Sequence, residues 1–299
     1  MAIDDLRPAL GCYGNEHVRT PNIDRLARAG TVFSKAYCNW PVCGPSRASM
    51  MTSLRPETVG VMDLATDMRL KEGSALLSLP QHFKNQGYTT AGAGKIYDTR
   101  NVDSARECDA ASWSLPFDTY GVHATKWATE ATRAAMEAEI RAQGNVYNLK
   151  HWGANTSLVL APDCTEDELP DGSILQVGLS LMRQLVSGRE REGSPWFLAV
   201  GFNKPHLPFW APKKYWDLYH RELLPHIDDG SLEATADINH HSGWDVHDSF
   251  EFRDYFPVPP EGPIPSEVRR EALHGYYACI SYIDHQVGEL MISMISISP

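Results

Sequence analysis

Apolar residues recur at helical spacing in five segments of the chain. The segments are 22–29, 45–54, 80–86, 174–187 and a long one from about 266 to 290. Pro45 and Pro80 stand at predicted helix starts, where a residue that lacks an N–H is tolerated. Gly30, Gly87 and Gly188 follow predicted helix ends, a position that favours glycine. The pattern therefore predicts five helices with defined starts and ends.

Three shorter segments, 31–36, 88–93 and 196–202, have the composition of buried strands, and the third is continuously apolar. Because strands alternate with helices, we expect an α/β fold with a mostly parallel central sheet that helices cover on both faces. Ligands of such sheets bind at the carboxyl ends of the strands. Lys95, Lys204 and His206 follow predicted strands, so we expect them near a functional site.

Residues 228–265 are rich in Asp, His, Gly and Pro and predict a long loop over one face. Its histidines and aspartates lack the fixed spacing of a metal site, so a solvated loop is favoured over a metal cluster. The residues concerned are His240, His241, Asp245, His247 and Asp248.

Composition and charge exclude several classes of partner. The chain has 299 residues, 42% of them hydrophobic, which is typical of a globular protein. No run reaches the length of apolar sequence that crosses a membrane, and the first residues do not resemble a secretory signal. The net charge of -11 argues against nucleic acid or an anionic membrane as the main partner. An anionic substrate would need a local group of cations.

Cys43 is the cysteine with the most suggestive neighbours. The six cysteines contain no C-x-x-C pair, so we expect the other five to be core thiols or, at most, to form one disulfide. Cys43 stands just before the helix predicted from Pro45, and Arg47 lies one turn inside that helix. A helix N-terminus and a guanidinium both favour anions. The run predicts a reactive group aimed at an anion, although a buried thiol and a surface arginine are the alternatives.

Asp4 and Asp5 form an adjacent carboxylate pair, which suits hard cations such as Ca²⁺ or Mg²⁺. Capping or turn roles are the alternative for such a pair. Lys95 follows a glycine-containing run that suggests a phosphate loop. That interpretation fails because Thr89 and Ile96 stand where the motif requires Gly and Ser or Thr.

The run Cys43-Gly44-Pro45-Ser46-Arg47 resembles the signature of the sulfatase family. Further segments resemble sulfatase segments and follow in the family's order, to about Leu290. They are Asp4-Asp5-Leu6-Arg7-Pro8, Thr20-Pro21-Asn22-Ile23-Asp24-Arg25-Leu26, Gly94-Lys95-Ile96-Tyr97, Ser112-Trp113-Ser114-Leu115-Pro116, Lys204-Pro205-His206-Leu207-Pro208-Phe209, Gly262-Pro263-Ile264-Pro265 and Ser281-Tyr282-Ile283-Asp284. The later segments are most similar to the iduronate-2-sulfatase branch.

The resemblance implies an alkaline-phosphatase-like sandwich that hydrolyses a sulfate ester of a sulfated carbohydrate, such as a 2-sulfated uronate. It implies that a maturation enzyme oxidises Cys43 to formylglycine, the nucleophile. It further implies one Ca²⁺ or Mg²⁺ ion, bound by Asp4, Asp5 and the modified residue 43. The remaining implied catalytic residues are Arg47 and Lys95 on the sulfate oxygens and His206 on the sulfate or the leaving alcohol.

Two features depart from the family pattern. Asp98 stands three residues after Lys95, where related enzymes usually carry His, and it adds negative charge near the expected sulfate. Only three residues precede Asp4, and residues 291–299 form a repetitive run unlike the family. We therefore expect a partial catalytic domain at 1–290, truncated at both ends and lacking further metal ligands, followed by an aberrant tail at 291–299.

Three alternatives stay open. A phosphodiesterase or phosphonate hydrolase of the same superfamily would use the same nucleophile. An inactive remnant or a binding protein would explain the departures from the family. Finally, Cys43 could remain a thiol and act as a redox or thiol-ester centre.

Overall fold

The computed structural model describes residues 1–70, 75–103, 107–119, 129–142, 156–225, 255–257 and 264–297. The α-helices are α1 Pro21–Ala29, α2 Cys43–Thr52, α3 Pro56–Val59, α4 Leu79–Asn85, α5 Glu130–Ala142, α6 Pro170–Glu192, α7 Lys213–Trp216 and α8 Ser266–Ile297. The strands are β1 Ala2–Ile3, β2 Thr89–Gly94, β3 Thr156–Ser157, β4 Val159–Leu160, β5 Trp196–Phe202, β6 Phe209–Trp210 and β7 Tyr255–Phe256.

A three-stranded parallel sheet in the order β1-β5-β2 positions the site. Ala2 pairs with Gly201 on one side of β5, and Gly94 pairs with the same glycine on the other side. All three strands therefore end at one level. Two short parallel pairs, β3 with β7 and β4 with β6, complete the described strand pairing. The prediction of a mostly parallel sheet is confirmed.

Apolar cores lie on both faces of the sheet, because successive side chains of β5 point to opposite sides. Leu198, Val200 and Phe202 pack into a core built mainly with α6 and α8. Phe197 and Ala199 pack into a second core that includes residues of α2 and of the segment after β2. Burying a side chain such as that of Phe202 contributes about 1.5–3 kcal/mol to folding. The continuous apolar run of β5 is thus explained by burial on both sides.

The predicted strand at 31–36 is wrong. These residues are irregular and exposed, and the side chain of Phe33 is 73% accessible. A strand needs a neighbour that satisfies its backbone groups, and none of the strands in the described ranges pairs with this segment. Strand-like composition alone could not order it.

Several predicted helix ends also differ from the observed ones. Helix α2 begins at Cys43, so Cys43 lies in its first turn and Pro45 is its third residue. Helix α6 does not end at Gly188 but continues to Glu192, because Gly193 adopts the left-handed conformation that ends it. The predictions at 22–29, 80–86, 88–93 and 196–202 agree with α1, α4, β2 and β5 to within one residue at each end.

Helix α8 continues through Ile297, so residues 291–297 extend the helix instead of starting a separate segment. The domain limits at 290 and 291 stay a prediction. The expected loop at 228–265, with its His and Asp residues, lies largely outside the described residues, which include only 255–257 and 264–265 of it.

Among the described helices, none has the length and apolar character needed to cross a bilayer. All six cysteines are free thiols, so no disulfide is observed.

Candidate active site

The carboxyl ends of three strands bring their following residues together. Asp4 follows β1, Lys95 follows β2, and the loop after β5 carries His206. Two glycines let these ends approach closely. A Cβ on Gly201 would lie 2.1 Å from the Lys95 carbonyl oxygen, and Gly94 has a φ of +76° with a Cβ position 2.0 Å from the Gly201 oxygen. Larger residues at these two positions would push the strand ends apart.

Asp4 is the buried anion at the centre of this group. One carboxylate oxygen accepts hydrogen bonds from Arg47 Nη2 at 2.6 Å and Nε at 3.3 Å, and the other accepts one from Lys95 Nζ. Burial by itself would raise the pKa of Asp4, but Lys95 and Arg47 lower it to about 2. Asp4 is therefore charged at neutral pH. For Lys95, burial opposes the charge, yet Asp4 holds the lysine pKa above its usual value.

Arg47 connects Asp4 to the chain after β2. Besides its bonds to Asp4, its Nη1 donates to the carbonyl oxygens of Lys95 and, at 3.1 Å, Ile96. The guanidinium is buried, and its bonded donors point toward protein atoms. Arg47 therefore holds Asp4 and Lys95 in place in this structure. Its direct contact with a sulfate stays a prediction.

Asp4, Asp5 and His206 could hold a metal ion. One ligand atom from each lies within 4.8 Å of the others. His206 Nδ1 lies 2.7 Å from the Leu207 carbonyl oxygen, so we assign the proton to Nδ1. Nε2 then turns its lone pair toward carboxylate oxygens of Asp4 at 4.0 Å and Asp5 at 3.8 Å. Burial, and after it the charge of Lys95, lower the pKa of His206 and keep it neutral.

The donor set fits a divalent cation. Two carboxylates supply the hard oxygens that Ca²⁺ and Mg²⁺ prefer. A histidine whose other nitrogen donates to a backbone carbonyl has the usual orientation of a metal-ligating imidazole. The thiol of Cys43 is not in this group of three. A metal-ligand role for the modified residue 43 stays a prediction.

Cys43 faces Asp98 and Arg100. Its thiol donates to Asp98 Oδ2 at 3.0 Å, and Arg100 Nη2 lies 3.4 Å from the sulfur. Burial raises the pKa of Cys43 to about 12, Lys95 opposes this, and Asp98 adds to it. An unmodified Cys43 is therefore protonated at neutral pH. This state disfavours the redox or thiol-ester alternative, which needs a thiolate.

The negative charge of Asp98 is paired with the guanidinium of Arg100. Arg100 binds it through Nε at 2.8 Å and Nη2 at 2.9 Å, and this pairing outweighs burial and lowers the pKa of Asp98. The Arg100 backbone N–H also donates to Asp98 Oδ1 at 3.1 Å, which closes a local turn. Sequence reasoning missed Arg100. Its position two residues after Asp98, in a turn that follows a strand, was the available signal.

Lys204 lies at the end of β5 as expected, but its side chain hydrogen-bonds to the backbone of the loop that follows β5. Nζ donates to the carbonyl oxygens of His206 at 2.7 Å and Pro208 at 2.6 Å. Asp171 accepts the backbone N–H groups of Asn203 at 2.5 Å and Lys204 at 3.2 Å. These bonds fix the loop that carries His206.

Comparisons with known proteins agree with this geometry. The family model described as Sulfatase matches residues 2–293. Iduronate 2-sulfatase of Mus musculus is 32% identical over 304 residues, covering 98% of this chain and 50% of that protein. The chain thus spans about half the length of the curated relatives it matches, including the human protein of the same name.

Solved structures share the fold. The phosphonate monoester hydrolase of Agrobacterium radiobacter superposes with a TM-score of 0.66 at 19% identity, covering 99% of this chain and 58% of that one. BT4656, solved with its substrate D-glucosamine-2-N,6-O-disulfate, gives a TM-score of 0.57 at 17% identity, covering 100% and 62%. These neighbours confirm the alkaline-phosphatase-like α/β fold. With a family model matched across nearly its whole length, the chain belongs to the sulfatase family.

Proposed function

We propose that this chain carries the nucleophile-bearing part of a sulfuric ester hydrolase that acts on a sulfated carbohydrate, with a 2-sulfated uronate as the favoured substrate. The observation that carries the proposal is the meeting of Asp4, Lys95 and His206 at the strand ends, in a chain with the sulfatase signature at Cys43. The similarity to iduronate 2-sulfatase supports the uronate, whereas the similarity to BT4656, at 17% identity, reaches only the fold.

The division of roles follows from the contacts of the site. A formylglycine made from Cys43 by a maturation enzyme would supply the nucleophile, and a divalent cation would supply polarisation of the sulfate oxygens. Asp4, Asp5 and His206 would hold that cation. Lys95 and Arg47 keep Asp4 ionised and in place, and the positive charge of Lys95 favours an anion near residue 43. The buried setting strengthens these electrostatic effects relative to water.

The test is expression of the full chain together with a formylglycine-generating enzyme. Mass spectrometry of the peptide with residue 43 should show replacement of the thiol by an aldehyde, and a 2-sulfated uronate disaccharide should release sulfate. Cys43→Ala is the control and should release none. Complete conversion without release of sulfate contradicts turnover by this part alone and favours the inactive remnant or binding protein. An unconverted thiol with turnover favours thiol chemistry.

The metal assignment has its own test. Ca²⁺ and Mg²⁺ should each raise the thermal unfolding midpoint of the chain, since a ligand that binds only the folded state stabilises it. Asp5→Asn should remove the shift, whereas Asp217→Asn, in an exposed pair with Lys213, should keep it. A shift that survives Asp5→Asn contradicts this ligand set.

Hydrolysis of a phosphonate or phosphate ester is the second candidate. The structural similarity to the phosphonate monoester hydrolase supports it, although at 19% identity that similarity reaches only the fold. Initial rates on a sulfate ester and a phosphonate ester with the same alcohol decide between the two. A higher kcat/KM for the phosphonate ester would favour the second candidate.

A further inference from the structure

A solvent-facing cation stands beside the atom where the nucleophile forms. Arg100 Nη2 is 3.4 Å from Cys43 Sγ, and the Arg100 side chain is 47% exposed. A substrate whose sulfur is attacked from residue 43 must place its charged oxygens within a few ångströms of that residue. Arg100 is therefore within reach of the reacting anion.

Asp98 fixes the direction of this guanidinium. It binds the edge formed by Nε and Nη2, at 2.8 and 2.9 Å. Two parallel hydrogen bonds to one carboxylate set the plane of a guanidinium. Asp98 is itself buried and receives the Cys43 thiol on Oδ2. The carboxylate thus ties the orientation of Arg100 to the position of residue 43.

The two cations that pair with Asp4 are more deeply buried than Arg100. The side chain of Arg47 is 7% exposed and binds Asp4 and two carbonyls, and that of Lys95 is 17% exposed and binds Asp4. A substrate arriving from solvent therefore reaches the more exposed Arg100 before these two cations.

We propose that Arg100 is a catalytic residue that hydrogen-bonds the sulfate oxygens of the substrate, a contact that the family signature does not include. The inference rests on the proposed function and adds an anion-binding residue to its site. It also gives Asp98 a physical role, because its carboxylate holds the arginine in place. A guanidinium matches the spacing of two oxyanion oxygens, so both charge and geometry contribute.

The test measures binding of inorganic sulfate to the full chain by isothermal titration calorimetry, at constant ionic strength in chloride. Arg100→Met should weaken sulfate binding by roughly 10- to 100-fold, the range expected for loss of a hydrogen bond to a charged group. Arg100→Lys keeps the charge but loses the fork, and it should fall between the wild type and Arg100→Met. Arg141→Met, on α5 beside Glu137, is the matched control and should bind as the wild type does.

Far-UV circular dichroism establishes that each variant is folded, and Arg100→Lys provides the comparison if Arg100→Met is not. Sulfate binding that is absent in the wild type, or equal in the wild type and both Arg100 variants, overturns the proposal. If Arg100-dependent binding occurs without hydrolysis of any sulfate ester, the proposed function fails but the anion contact stands. If the wild type hydrolyses the ester and both variants match it, only the Arg100 proposal fails.

Discussion

At the scale of single residues, Asp4 determines the charge balance of the site. Its carboxylate is buried against Arg47 and Lys95, so two cations depend on one anion for their pairing. Removing one partner of a buried pair is costly because the remaining charge is left without compensation. The sequence predicts both Asp4 and Lys95 as site residues, but it does not predict that they pair with each other across about ninety residues.

Asp4→Asn should lower the free energy of unfolding by about 3–5 kcal/mol at neutral pH, because Arg47 and Lys95 stay buried without their anion. Urea denaturation monitored by circular dichroism measures the loss. Asp217→Asn removes a charge from an exposed pair on the surface and should leave the unfolding midpoint nearly unchanged. Equal effects of the two substitutions would contradict the central role of Asp4.

The pH dependence of the free energy of unfolding should show the titration of the Asp4 carboxylate. Its pKa of about 2 in the folded protein lies below its ordinary value of 3.8. The stabilisation from Asp4 is therefore complete above about pH 4 and is lost as the pH falls through 2, a change of about 2 kcal/mol. Urea titrations at a series of pH values should show this loss in the wild type. In Asp4→Asn the same interval should be flatter.

At the scale of elements, the approach of β2 to β5 depends on glycine. The Cβ that Gly201→Ala adds would meet the Lys95 backbone 2.1 Å away, and backbone atoms cannot move aside as a side chain can. We expect a loss of about 3 kcal/mol or more in unfolding free energy. Sulfate affinity, measured by calorimetry, should fall as well, because Lys95 is displaced.

Gly188→Ala is the matched control for this substitution. Gly188 lies inside α6, and outside the nearby backbone of that helix no atom stands within 4 Å of its added Cβ. Alanine should stabilise the helix there by about 0.5–1 kcal/mol. Thermal unfolding of the two variants should therefore shift in opposite directions. A shift in the same direction would contradict the assigned packing.

The hydrogen-bonded contact between α1 and α8 is a second feature at the scale of elements. Asp284 on α8 accepts the N–H groups of Asn22 and Ile23 at the start of α1, at 3.1 and 2.7 Å. Asp284→Ala should cost about 2 kcal/mol, since it leaves these donors without their carboxylate. Urea denaturation measures the loss, and hydrogen exchange should speed up in α1. Glu139→Ala, at an exposed position of α5, should change neither quantity appreciably.

At the scale of the whole molecule, the segment 31–37 presents apolar side chains to solvent. Phe33 and Tyr37 are 73% and 86% exposed, and the backbone of Phe33 accepts a hydrogen bond from Tyr13. Exposed aromatic surface and backbone groups without a strand partner favour association with other chains. We therefore expect this surface to promote self-association of the chain.

Sedimentation velocity across a range of concentrations tests this surface. The wild type should associate as concentration rises, and Phe33→Ser combined with Tyr37→Ser should shift the distribution toward the monomer. Leu223→Ser removes another highly exposed apolar side chain outside the segment and should leave association unchanged. A wild type that stays monomeric throughout would contradict the prediction.

The sequence by itself determined the order of the main helices and strands, the parallel sheet and the positions of Lys95, Lys204 and His206 after strands. These features follow from local periodicity, from residues that end helices and from strand ends that must meet in a parallel sheet. The family also followed from the sequence, because its segments recur in order along nearly the whole chain.

Only the tertiary structure decided which groups are partners. The bonds of Arg47 to Asp4 and to two carbonyls, the loop contacts of Lys204, and the Arg100 contact with Cys43 join residues that packing brings together. The failure of the strand at 31–36 has the same origin. A strand is stabilised by its neighbours, so its formation depends on chain segments that lie elsewhere in the sequence.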